Sequence, residues 1–219
     1  VFSVSISNES ATAVLQRKEY EMTKLTKILI VMTMIAAAGV AAAGPGVDVG
    51  GAAPDFALKD SAGNNVSLAD YRGKVVVLEW VNPDCPFVKR HYQEGSMKKL
   101  TSAYDESGVV WLTVNSTNYM DAAANAAFAE KEGITWPILV DQDGTVGHAY
   151  GAATTPHLFI IDTKGKVVYD GAIDDDPRGA KEVGERTNYV SAALDEVLAD
   201  KAVSTPETKP YGCSVKYKK

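Results

Sequence analysis

The chain has 219 residues, 46% hydrophobic, 23% charged and 8% aromatic, enough apolar mass for one good core and at most two domains. Its 22 Lys and Arg against 28 Asp and Glu leave a net charge of -6, and no basic block could follow a phosphate backbone, which argues against a nucleic-acid partner. The cysteines Cys85 and Cys213 exclude a disulfide-dense scaffold and a four-thiolate zinc site, leaving one disulfide or two separate thiols open.

Residues 1–21 are polar and without periodicity, either an over-extended start or a long leader. From Met22 the text reads as a secretory signal over 22–43: Lys24 and Lys27, then the apolar Ile28 to Val40, then the small-residue site Ala41-Ala42-Ala43. Gly44-Pro45-Gly46 interrupts the weakly apolar run that follows, so cleavage after Ala43 is expected and no stable membrane anchor would remain. The remaining chain is expected to be exported, to a bacterial periplasm or the extracellular space, where thiols oxidise readily. It divides into a domain over 44–200 and a polar tail over 201–219 that carries Cys213.

In chain order, Phe56 to Asp60 and Val66 to Leu68 predict two short strands joined by a Gly/Asn turn. Lys74 to Val81 is a continuous apolar run broken only by Glu79, as a strand buried on both faces requires. Pro86 to Ser107 predicts helix with a break at Gly95, and Gly108 to Thr113 predicts a second buried strand. Asp121 to Glu132 predicts a helix stopped by Gly133, followed by strands at Trp136 to Asp141 and Pro156 to Asp162. The last of these pairs with Lys166 to Asp170 as a hairpin, and Tyr189 to Ala199 closes the domain as an amphipathic helix. Strands alternating with helices give an α/β fold, a central mixed sheet with helices on both faces.

Cys85 falls in the turn after the buried strand and at the mouth of the next helix, with Pro86 suited to the first helical position. Unpaired backbone N–H groups and the helix dipole favour a thiolate there, with Lys89 adding to the effect and Asp84 opposing it. Glu79 in its apolar strand should have a raised pKa and could relay a proton; a salt-bridged or edge position is the alternative.

The motifs Ala53-Pro-Asp-Phe56, Val66-Ser-Leu68, Tyr71-Arg-Gly-Lys74, Cys85-Pro86, Thr155-Pro156 and Leu158-Phe-Ile-Ile-Asp162 with Gly165-Lys166 together resemble a thioredoxin-fold redoxin of the alkyl hydroperoxide reductase/thiol-specific antioxidant (AhpC/TSA) group, over about Gly50 to Ala199. The resemblance implies that Pro156 is a cis-proline facing Cys85, and that Thr155, Pro156 and Pro86 contact an extended substrate. It also implies a buried acid beneath the reactive cysteine, a place that Glu79 matches by its spacing of six residues before Cys85. The chain departs from both parent patterns. Val88 stands where thioredoxins carry their second cysteine, and Asn82 and Thr155 stand where peroxiredoxins carry Thr or Ser and Arg.

The remaining candidate partner for Cys85 is Cys213, either as a mobile resolving cysteine or as a structural clip that would stabilise by about 4–5 kcal/mol. His91, His148 and His157 do not form a metal pattern with the cysteines, and no cofactor is implied. The expected activity is that of an oxidoreductase. Its Cys85 thiolate would react with a peroxide or a disulfide, and a thiol donor such as a thioredoxin-like protein, or client protein disulfides, would be its partner. A non-catalytic peptide-binding module with a stapling Cys85–Cys213 disulfide is the alternative.

Overall fold

The structure is a computed structural model that describes residues 46–219. The predicted signal over 22–43, its cleavage site and residues 1–21 lie outside the described residues. Among the described residues no helix is long and apolar enough to cross a membrane.

The strands β1 (Ala57–Lys59) and β2 (Asn65–Ser67) form a small antiparallel hairpin. Its turn is built by Asp60, whose Oδ1 accepts from the backbone N–H groups of Ala62 and Asn64. The central sheet has the order β5-β4-β3-β7-β8, with β3 at Val76–Trp80, β4 at Val110–Asn115, β5 at Ile138–Val140, β7 at His157–Ile161 and β8 at Val167–Gly171. β3, β4 and β5 run parallel, whereas β7 pairs antiparallel with both β3 and β8.

β3 occupies the middle, and every one of its residues is buried, which explains its unbroken apolar composition. Val76, Leu78 and Trp80 point to one face, where they pack with Phe56, Leu68, Phe159 and Tyr150. Tyr150 ends the short helix α4 (Thr145–Tyr150). Val75 and Val77 point to the opposite face, against α2 (Ser96–Tyr104) and α5 (Tyr189–Leu198) through Met97, Leu100, Val190 and Leu194. Truncating a fully buried side chain such as Leu78 to Ala costs about 2–5 kcal/mol in a core of this kind.

The predicted helical stretch after Cys85 divides at Gly95 into α1 (Pro86–Gln93) and α2, because Gly95 takes the left-handed conformation at φ 70°. α3 (Ala122–Glu132) begins at Asp121, whose side chain accepts from the Ala124 N–H, and stops at a left-handed Gly133. Two features were not anticipated: α4, and a two-stranded pairing of β6 (Thr154–Thr155) with β9 (Cys213–Ser214).

That pairing corrects the expectation of a polar tail over 201–219 with a mobile cysteine. Val215 is buried in the core beside Val146 and Tyr150, and its N–H donates to the Ala153 carbonyl at 3.1 Å. The Tyr217 ring stacks on His148 at 4.0 Å between centroids, and its hydroxyl donates to the Ala152 carbonyl at 2.7 Å. Earlier in the tail, the Thr208 hydroxyl accepts from the Ala172 N–H at 2.9 Å. The apolar groups are few, but Val215 and Tyr217 pack into the same core cluster and the backbone beside them is hydrogen-bonded.

Candidate active site around Cys85

β3 delivers the chain into a tight turn in which Asn82 Oδ1 accepts from the Asp84 N–H at 2.8 Å and the Asn82 carbonyl from the Cys85 N–H at 2.9 Å. Cys85 is then the N-cap of α1, and exposed Pro86 takes the first helical position, where a missing N–H costs nothing. The cysteine is 2% exposed. Its Sγ donates to the Thr155 carbonyl at 2.9 Å, across from the cis Thr155–Pro156 peptide bond.

The same Thr155 pairs with Cys213 across the β6–β9 ladder, and Cys213 packs against the apolar cluster of Cys85, Val81, Val88 and Phe128. Two thiols distant in sequence therefore meet at one peptide unit, and both are free. Burial pushes the Cys85 thiol up, but hydrogen bonding with the Thr155 and Cys213 side chains and with the Val88 and Cys213 backbones outweighs it, and the thiol is held below its usual range. Cys213 moves the other way. Burial, its hydrogen bond to Cys85 and the repulsion of a neighbouring thiolate push it up to about 11.

Glu79 is 1% exposed on the face of β3 that also carries Val77 and Val81. Its Oε2 accepts from the Tyr92 hydroxyl at 3.0 Å, Trp111 Nε1 at 3.1 Å and the Thr113 hydroxyl at 3.3 Å. Burial raises its pKa to about 7 against the opposing effect of these donors. None of its hydrogen bonds reaches Cys85. Val81, two residues further along the chain, packs beside the cysteine.

Tyr92 and Tyr211 are the site residues that sequence reasoning missed. Tyr92 lies two helical turns after Cys85, a spacing from which it could have been found. Tyr211 carries no such signal. Its hydroxyl donates to Asp174 Oδ1, while His91 Nε2 lies 3.0 Å from it and Arg90 3.3 Å, so the tail is fixed just before Cys213 by α1 and the 174–176 loop. The imidazoles are likewise engaged: His91 with Ser96 at 3.1 Å, and His157 with Asp170 at 2.5 Å. Among the described residues no group of three or more His, Cys, Asp and Glu side chains is placed to hold a metal ion.

A cysteine at the N-terminus of a helix after the central strand, opposite a cis-proline, in a mixed sheet covered on both faces, defines the class as thioredoxin-fold oxidoreductases. Within it the chain belongs to the AhpC/TSA family, whose sequence profile matches residues 49–170. A thiol-disulfide oxidoreductase, ResA of Geobacillus thermodenitrificans, is 39% identical over 122 residues, which are 55% of this chain and 67% of that relative. Two solved structures have a TM-score of 0.71 and cover 78% of this chain. One is the hypothetical protein SMc02350 of Sinorhizobium meliloti, 30% identical over 96% of its length, and the other an uncharacterized conserved protein of Geobacillus kaustophilus, 33% identical over 93% of its length.

Proposed function

We propose that the protein is an exported thiol–disulfide oxidoreductase that cycles Cys85 and Cys213 between a dithiol and a disulfide. One observation carries this reading: the Cys85 sulfur bonds to the Thr155 carbonyl at 2.9 Å while Cys213 is the strand partner of the same Thr155. The kinship with ResA supports exchange over peroxide chemistry. Export rests on the signal-like sequence ending at Ala43.

In the reducing direction the Cys85 thiolate attacks one sulfur of a client disulfide, forming a mixed disulfide and releasing the other client sulfur as a thiolate. Cys213 then loses its proton and attacks Cys85 Sγ, and the second client sulfur leaves as a thiol. The client gains two electrons, and the Cys85–Cys213 disulfide that remains is reduced by an external dithiol, a thioredoxin-like donor. The reverse sequence oxidises a client. Glu79 is the proton store for these steps: with its pKa near 7, it can accept or return a proton at working pH. In this reading the client sulfur aligns against Thr155 and Pro156, and Pro86, next to Cys85 in the chain, is exposed for contact with the client.

The test is a trap. With Cys213→Ser, a disulfide client should accumulate as a stable adduct on Cys85, whereas the unaltered protein should show a Cys85–Cys213 disulfide by peptide mass mapping. Absence of both species after incubation with oxidised glutathione overturns the reading.

A further inference from the structure

Client sulfur cannot reach Cys85 in the arrangement described, because the thiol is 2% exposed and lies against Thr155 and Cys213. The segment Gly212–Val215 runs along β6, with Cys213 opposite Thr155 and Ser214 opposite Thr154. The Val215 N–H continues the pairing onto the Ala153 carbonyl, and the Val215 side chain enters the core cluster. This is how an added strand is held at a sheet edge, with main-chain hydrogen bonds for affinity and alternate side chains for selectivity. It presents a sulfur to Cys85 just as an intermolecular client would have to.

We propose that Gly212–Val215 is a tethered occupant of the client groove, and that clients are proteins with an extended segment in which glycine precedes the cysteine and a small apolar residue follows two positions later. The proposal rests on the thiol–disulfide reading above. The glycine requirement comes from Gly212: at φ 139° a Cβ placed there would lie 2.1 Å from the Thr155 oxygen and 2.7 Å from its carbonyl carbon, both fixed backbone atoms. The apolar requirement comes from Val215, 9% exposed among Val146, Tyr150 and Tyr217. Anchors on both sides, Tyr211 before and Tyr217 after, make the tail a competitor at high local concentration that a client must displace.

The experiment uses the full chain in its reduced form and a fluorescent, thiol-free peptide, Lys-Pro-Tyr-Gly-Ser-Ser-Val-Lys-Tyr, that copies residues 209–217 with serine for the cysteine. Binding is measured to the unaltered protein and to two variants that lift the tail in different ways. Val215→Asp places a charge in the apolar pocket, and Gly212→Ala puts the clashing Cβ on the strand edge. Each variant is checked for its folded state by thermal unfolding. The peptide should bind at least one folded variant about tenfold or more tighter than the unaltered protein, and alanine in place of its glycine should weaken binding about tenfold. Equal affinity for all three proteins, no binding to any, or indifference to the glycine would overturn the proposal. Oxidation of the unaltered protein by oxidised glutathione is followed alongside: a normal Cys85–Cys213 disulfide without peptide binding rejects the groove alone, and peptide binding without that disulfide rejects the thiol–disulfide reading alone.

Discussion

The two cysteines are held by regions of opposite character. Cys85 is set by a strand–turn–helix junction whose strand is fully buried, so its sulfur keeps a fixed relation to the helix N-terminus and to Thr155. Cys213 is set by a two-residue strand near the chain's end, held by a few tyrosine and valine contacts. Electrostatic activation needs fixed donors, whereas a partner thiol must approach and later withdraw. The rigid half thus suits the attacking sulfur and the strapped half the exchanging one.

The most severe way to break this division is Cys85→Ser, which should abolish disulfide exchange entirely while leaving Cys213 present. Residual turnover in an insulin-reduction assay would mean that the tail thiol works alone.

Glu79→Gln comes next. Loss of the proposed proton store should slow exchange by about 10²–10⁴-fold with the fold retained. The same substitution has a stability signature. Because burial raises the folded-state pKa of Glu79 to about 7, the folded protein binds the proton more tightly than the unfolded chain does. The resulting stability is fully present below the unfolded value of 4.5 and is lost as pH rises through about 7, an overall change of roughly 3 kcal/mol. Denaturant titrations from pH 4 to pH 8 should show that loss in the unaltered protein and a flatter profile in Glu79→Gln. Identical profiles would remove Glu79 from the proton accounting.

Alkylation separates the two thiols directly. Cys85 lies below the usual thiol value of 9.0 and Cys213 is pushed up to about 11, so their reactivity midpoints in the reduced protein should differ by about two pH units or more. Mass spectrometry resolves them, and a lower midpoint at Cys213 would exchange the attacking and partner roles.

The smallest effect sharpens the strap itself. Tyr217→Phe keeps the ring on His148 but loses the hydrogen bond to the Ala152 carbonyl, worth about 1 kcal/mol. The Val215 amide should then exchange its hydrogen several-fold faster while the amides of β3 stay unchanged. Equal acceleration in both places would show that the tail is part of the global core and not a separable element.

Local pattern made much of this protein readable. The apolar run around Glu79, the break at Gly95 and the Asp121 and Gly133 ends of α3 each follow from the chemistry of neighbouring residues, and so does Cys85 at the mouth of α1. α4 escaped because it is six residues long and its sequence, Thr-Val-Gly-His-Ala-Tyr, offers no amphipathic period. Cys213 is the deeper case. Its sequence neighbours are polar and turn-prone, and nothing among them says that Tyr211 finds Asp174, that Val215 finds the core or that the backbone between them pairs with Thr155. Sequence alone determined which sulfur stands at a helix N-terminus after a buried strand, because helix capping and burial of a strand are set within a few residues. Only the tertiary structure decided where the second sulfur stands, because that depends on cavity walls and a strand edge contributed by segments far apart in the chain.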